Sequence, residues 1–367
     1  MTRLRKFVAS FSLCCGAGYL TGCSGQIVDL DRPIASSTPP SPSSTDATTD
    51  SPPREVGGVW VDEHRLYWST FGAPSKKPYS DSKSYHACFK LDCAHTATTY
   101  ATFDGGSNNF VVDDQQVYWT QSDSELFSCS KDDCAGSTEM IAVDPALFGR
   151  RIAAHQGYVY WSSDTDLLRC RASGSAVPEV VARSTVTNHL AFDGARVYWQ
   201  TEQGIFRAPS DGSEPPELMT AALPRPQVRN IYENDIGDIA VAGGHLYWRT
   251  ERRIYRCPVA NCIDAGPTLL YTGDKFIDAF KIDDEAMYWL EGYTTTNDPT
   301  EHAKLALRSC PLSGCKQSTV RSDQPVELNY STQEGAAYAI DANDLYWLEA
   351  PSEPQSPTLS VLHKTAK

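Results

Sequence analysis

The chain is expected to be all-β: a seven-bladed β-propeller of four-stranded antiparallel blades. Two observations lead there. A Tyr-Trp dipeptide stands at 67–68, 118–119, 160–161, 198–199, 247–248, 288–289 and 346–347, taking seven of the eight tryptophans. Its spacings of 51, 42, 38, 49, 41 and 58 residues fall in the range of propeller repeats. No segment carries a sustained helical period, which leaves strands as the building element.

Each repeat reads strand by strand. A short apolar run, a turn and a second β-prone run precede every dipeptide, as in VWVDEHRLYW, LAFDGARVYW and YAIDANDLYW. That is the pattern of a tight hairpin around Asp, Gly or Asn. A third run follows each pair (CFKL, ELFSC, LLRC, GIFRAP, RIYRC, LALRSC, LSVLHK), and most repeats add a fourth, such as EMIAV, EVVAR, ELMTA or TLLYT. Four strands repeated seven times make a propeller; six blades with one degenerate repeat is the alternative. The last repeat ends after its third strand, so closure needs a strand from elsewhere, expected between the Ser/Thr/Pro tract described below and Val59.

Neighbouring residues of a strand face opposite sides of the sheet. The paired rings are therefore expected to wedge each blade against both neighbours. Trp68, Trp119, Trp161, Trp199, Trp248, Trp289 and Trp347 form this blade core. Burying each aromatic is worth at most roughly 4–6 kcal/mol.

The first 22 residues place Arg3, Arg5 and Lys6 before an apolar stretch too short to span a bilayer, which suits an export signal. Leu20-Thr21-Gly22-Cys23 resembles the lipobox of bacterial lipoproteins. The resemblance implies cleavage before Cys23, lipidation of its thiol and membrane attachment through that lipid. An ordinary secretory signal is the alternative. Ser24 follows where Asp would argue for inner-membrane retention, so the expected location is the cell envelope, at the outer membrane. Residues 36–53 hold fifteen Ser, Thr or Pro in eighteen positions and have little to bury. The expected organisation is a signal over 1–22, a lipid-anchored disordered stalk over 23–55 and the propeller over 56–367.

The formal net charge of −14 becomes −17 once the three signal cations leave, and the sequence has no basic block. Nucleic acid is excluded as a partner, because phosphate binding needs clustered Lys and Arg. A monomer is expected.

A C-x4-C spacing occurs four times, pairing Cys88 with Cys93, Cys129 with Cys134, Cys257 with Cys262 and Cys310 with Cys315. Each straddles the turn after the third strand, and an exported protein oxidises such pairs. They are expected to be local clasps on exposed hairpins. Cys170 holds the first clasp position of repeat three, but Ser175 stands where its partner should be. It reads as a free thiol, either redox-active or the relic of a lost clasp. His86 and His95 flank the first clasp symmetrically, so His86, Cys88, Cys93 and His95 form an alternative zinc set. No other metal and no cofactor is expected.

IFRAPSDGSEPPEL and IYRCPV, each following a Tyr-Trp pair, are similar to the third-strand segment of YWTD-type propellers, the low-density-lipoprotein-receptor-like repeat family. The resemblance spans residues 57–367. It implies a ligand- or protein-binding scaffold and no catalytic residue. The residues after Tyr-Trp are never Thr-Asp here, and those receptor domains have six blades.

Two functional readings follow. The first is a non-catalytic binding or scaffold module for an envelope protein, peptide or glycan, including a structural part of an envelope assembly. Its site would lie where the innermost strands begin. Counting back from each Tyr-Trp names that channel mouth: Asn108, Arg150, Arg151, Asn188, His189, Asp238, Asp278 and Glu334. A solvated rim of internal salt bridges is the structural alternative, and the insertions at 69–84 and 292–304 are further places for a site. The second reading is a propeller enzyme, a lyase or lactonase-like hydrolase, with His189 as its base and Asp238 and Asp278 as companions. No nucleophile elbow, P-loop or dinucleotide fingerprint is present. The turn aspartates Asp62, Asp113, Asp193, Asp283 and Asp341 sit at one repeat position and read as turn formers.

Overall fold

The computed structural model describes residues 28–29, 55–71, 82–104, 109–121, 124–147, 151–173, 177–183, 189–221, 236–292, 305–322, 326, 338–348 and 361–367. Seven four-stranded antiparallel sheets are present, which removes the six-bladed alternative. Blade 1 comprises Glu55–Val61, Arg65–Phe71, Ser82–Phe89 and Thr98–Asp104. Blades 2 to 6 follow in chain order, their innermost strands being Phe110–Val112, Ile152–His155, Leu190–Phe192, Ile239–Ala242 and Phe276–Ile282. Blade 7 runs from Tyr338–Ile340 through Asp344–Leu348 to Val361–Ala366.

The outermost strand of blade 7 is Val28–Asp29, in antiparallel register with Leu362 and Val361. This corrects the expected closure. The strand comes from upstream of the Ser/Thr/Pro tract, because Glu55–Val61 is already committed to the inside of blade 1. The signal, Cys23 and the tract itself lie outside the described residues.

The Tyr-Trp pair packs as its alternation requires. Seven apolar clusters each straddle two consecutive blades, joining the Tyr of one to the Trp of the next. Tyr346 with Trp68 joins blade 7 to blade 1 and completes the circle. None of these fourteen rings is more than 3% exposed. One blade has an apolar surface on both faces and nothing within itself to cover either, so the circle is the unit of stability.

All four C-x4-C pairs are disulfides, with Cα–Cα separations of 4.8 to 5.9 Å. They differ from the expectation in one respect. The first cysteine of each clasp is buried against the Trp of its own blade, inside the inter-blade core. It pairs with the residue before Tyr, a slot that holds Ala208 in blade 4 and Cys170 in blade 3. Cys170 is the unpaired cysteine among the described residues; it is buried, and burial pushes its thiol up to about 12. Ser175 lies outside them. The zinc set is not assembled. Cys88 and Cys93 are bonded to each other, His86 stacks on Trp68 between Thr70 and Thr99, and His95 pairs with Asp92 at 2.6 Å.

Candidate functional site

The two ends of the circle are built differently. At the end where innermost strands turn back, Asp62 Oδ1 accepts the backbone N–H groups of His64 and Arg65, and its Oδ2 accepts the Tyr67 hydroxyl at 2.8 Å. Asp113 with Tyr118, and Asp341 with Tyr346, repeat both bonds. Asp193 accepts the Tyr198 hydroxyl, and Asp283 takes the paired backbone bonds. The turn aspartates therefore fix the turn and also lock the aromatic pair.

A lysine then ties blades together: Lys131 Nζ to Asp62 at 2.5 Å, Lys90 Nζ to Asp341 at 2.5 Å, and Lys367 Nζ to Asp283. Burial opposes ionisation of Asp62, but Lys131, the two backbone donors and Tyr67 outweigh it and hold the carboxyl at about 2. Through blades 3 to 6 the equivalent tie is arginine to carbonyl: Arg169 to Ser210, Arg207 to Val259 and Arg256 to Leu312, at 2.8 to 3.0 Å. Sequence reasoning missed this girdle. Its signal was present in the fixed five-residue step from each turn aspartate to its tyrosine.

A groove of about 250 Å³ lies between the first two clasps, lined by Arg65, Phe89, Tyr100, Lys131 and Asp132. Its cations are engaged. Arg65 meets Asp132 at 2.7 Å and stacks on Phe89, while Lys131 holds Asp62.

The opposite end, where innermost strands begin, shows no such repetition. The residue just before the one paired with each Trp is Gly58, Asn109, Arg151, His189 and Asp238 in blades 1 to 5. In blade 6 a bulge intervenes after Asp278. The register puts Asn109 on the rim. Asn108, Arg150, Asn188 and Glu334 lie outside the described residues, as do residues 72–81 and 293–304 of the two insertions.

Of the expected mouth residues, Arg151, His189, Asp238 and Asp278 do converge. His189 Nδ1 lies 2.8 Å from Asp238 Oδ1. Asp238 Oδ2 accepts Arg249 Nε at 2.8 Å and the Phe280 amide at 3.0 Å. Arg249 continues to Asp278 at 3.0 Å, and an Arg151 nitrogen lies 3.4 Å from His189 Nδ1. Burial opposes ionisation of Asp238, yet His189 and Arg249 hold it well below the usual carboxylate range.

Two members of this site were not foreseen, Arg249 and Lys281. Arg249 ends the second strand of its blade, two residues past Tyr247, where counting back along the innermost strands does not reach. Lys281 occupies the position paired with Tyr, which elsewhere holds Trp60, Val111, Ala153, Ala191, Ala240 and Ala339. That departure was legible once the repeats were aligned by strand register. Its ammonium donates to the Tyr338 carbonyl at 2.7 Å and lies over that ring. Burial pushes it down to about 8, with Asp238 opposing and Arg151 adding to the shift.

The bulge that places Lys281 carries Ala279 at φ 47°, a left-handed backbone that alanine seldom adopts. Asp278 caps the Ala279 amide, and the buried Tyr338 hydroxyl donates to the Ala279 carbonyl. Backbone strain held by surrounding bonds is a feature of sites whose geometry is put to use. The descending pattern of Asp238–His189 also leaves the far imidazole nitrogen available, the arrangement of an oriented general base. Among the described residues no group of three or more His, Cys, Asp or Glu could hold a metal ion.

No protein-family model matches the chain, and no curated protein matches it. Solved structures do. A chain of the S. cerevisiae structure of Dbp5 with Nup159, Gle1, IP6 and ADP aligns at TM-score 0.50 and 8% identity, over 85% of this chain and 89% of that one. A chain of a nidogen/laminin complex aligns at TM-score 0.43 and 14% identity, over 64% and 85%. BamB from Moraxella catarrhalis aligns at TM-score 0.40 and 10% identity, over 64% and 80%. At such identities the likeness concerns the fold alone, a β-propeller.

Proposed function

We propose that this propeller is a non-catalytic binding module of the cell envelope, docking an envelope protein, peptide or glycan at the end where its innermost strands begin. One observation carries the reading: the blades bring Arg151, His189, Asp238 and Asp278 together at a repeat position that is Gly58 in blade 1 and Asn109 in blade 2, Asp alone occurring twice. A position serving only the fold would repeat, as the turn aspartates do. The Tyr-Trp hairpins support kinship with YWTD-type repeats. The test is a photo-crosslinking residue placed at Arg151 or Asp278, with Glu63 and Asn343 at the turn end as controls, in intact cells. Adducts of one mass recurring from the rim and absent from the turn end support the reading. The reverse pattern overturns it.

Anchoring through Cys23 is part of the proposal. Five residues span at most about 18 Å, so a lipid on Cys23 would sit beside the Val28–Asp29 edge of blade 7, and the Ser/Thr/Pro tract would link two blades instead of lifting the domain. Labelled palmitate should enter the protein and be lost in Cys23→Ser. Unchanged labelling in that variant removes the anchor.

The His189–Asp238 pair favours a second reading, a lyase or hydrolase with His189 as base. Turnover of a lactone or uronide that His189→Gln abolishes, without loss of folding, would establish it.

A further inference from the structure

We infer that the rim of blades 3 to 6 contains a subsite for a singly charged carboxylate, formed by Arg151 and Lys281 beside His189. This rests on the rim being the binding face and names the chemistry that face selects.

Asp238 is an acceptor only, so at 2.8 Å it requires a proton on His189 Nδ1. Arg151 is likewise a donor only. Its 3.4 Å approach to the same nitrogen is therefore donor against donor, and no hydrogen bond joins them. That leaves the Arg151 guanidinium with no carboxylate within ion-pair distance among the described residues. It also leaves His189 Nε2 with no partner among them.

The carboxylates nearby are committed. Asp238 serves His189, Arg249 and the Phe280 amide, and Asp278 serves Arg249 and the Ala279 amide. The described rim thus holds two guanidinium cations, Arg151 and Arg249, and the Lys281 ammonium, charged below about 8, against two carboxylates. It is a local positive site on a chain whose formal charge is −14. Lys281 strengthens the case because it takes a slot that six other blades fill with uncharged residues, at the cost of desolvating an ammonium. In return the fold gains one carbonyl hydrogen bond and a ring contact to Tyr338, and a bound anion would offset the rest of the desolvation.

The excess also sets the ligand's charge. One surplus cation matches a monoanion. A dianion would meet the field of Asp238 and Asp278. Lys281 lies close enough to Asp238 and Arg151 to feel both charges, so the ammonium and the Arg151 guanidinium share one field.

The experiment is calorimetric titration of the intact protein at fixed ionic strength, with D-glucuronate, an end-capped peptide carrying a single glutamate, D-glucose and inorganic phosphate as probes. Binding of a carboxylate probe, weaker binding of phosphate and none of glucose are expected. Glucuronate against the peptide separates a sugar-acid source from a peptide one. Arg151→Gln and Lys281→Met should each weaken binding about tenfold or more, the scale of one charge-assisted hydrogen bond. Circular dichroism separates a folded variant from an unfolded one, and Arg151→Gln, at a half-buried loop residue, keeps the test open if Lys281→Met fails to fold. No heat with either carboxylate, or equal affinity in Arg151→Gln, overturns the subsite. If rim crosslinking still captures its partner, the binding face stands without the carboxylate; if both fail, the binding face falls as well.

Discussion

The turn end and the strand-start end of this propeller are made by the same repeat, yet they differ in what the repeat conserves. At the turn end one carboxylate recurs in five blades, at Asp62, Asp113, Asp193, Asp283 and Asp341, and it is used up locally by backbone amides, a tyrosine and in three cases a lysine. At the strand-start end the homologous position runs Gly58, Asn109, Arg151, His189, Asp238 and, before the bulge of blade 6, Asp278, so five residue types fill six described blades. Within one chain, repetition marks what every blade needs in order to stack, and departure from repetition marks what the whole assembly presents outward. The repeat itself supplies the comparison that an alignment of relatives would otherwise give.

The contrast can be broken most severely in the shared core. Trp199→Ala empties a fully buried site between Tyr160 and Val181 of blade 3 and Ala208 of blade 4. It should cost about 3–5 kcal/mol, read from the urea midpoint, and by opening the circle it should broaden the transition. A loss under about 1 kcal/mol would mean that the blades do not depend on the ring pairs.

Next in size is the girdle. Asp62→Asn removes the charge that Lys131 and Tyr67 both meet, at an expected cost of about 1–3 kcal/mol. The sign with pH follows from its lowered native value. A carboxyl held at about 2 against an ordinary 3.8 stabilises the fold above the ordinary value and loses that contribution as the pH falls towards 2. Asp341 and Asp283 are lowered in the same sense by Lys90 and Lys367, against burial. Stability should therefore drop steeply between pH 4 and 2, and Asp62→Asn should make that limb shallower. An unchanged limb would show the lysine ties to be surface decoration.

These two tests also separate what was legible in the sequence from what was not. Seven Tyr-Trp pairs at propeller spacing, with strand alternation, were enough for blade number and for the sides the rings face. The C-x4-C spacing sufficed for the four disulfides. Closure by Val28–Asp29 was hidden, since two residues beyond a Ser/Thr/Pro tract carry no strand signal of their own. The rim was half legible. Counting back from Trp finds Arg151, His189, Asp238 and Asp278, because they share a repeat position. Arg249 and Lys281 join them through a strand end and a bulge, and a bulge shifts register without leaving a mark in hydrophobic pattern.

The clasps should matter less than the girdle or the core. Replacing Cys88 and Cys93 together by alanine should cost about 2 kcal/mol by the chain-entropy argument, and no more, since Ala208 already fills the same slot in blade 4. A larger loss would mean that the disulfide organises the Trp68 core. Smallest of all is Cys170. Its buried thiol, held near 12, should resist a thiol reagent at pH 8 in the native protein and react once unfolded. Cys170→Ala should shift stability by about 1 kcal/mol or less. Rapid labelling of the native protein would revive a redox role for it.

The measurement that goes most directly to the difference between the two ends is a paired denaturation of Asp62→Asn and Arg151→Gln under identical conditions. The account predicts a lowered midpoint for the first and a shift within about 0.5 kcal/mol for the second, because the rim arginine has no carboxylate to lose. If Arg151→Gln destabilises the protein as much as Asp62→Asn, the rim charges are part of the scaffold, and the case for a binding face there is contradicted.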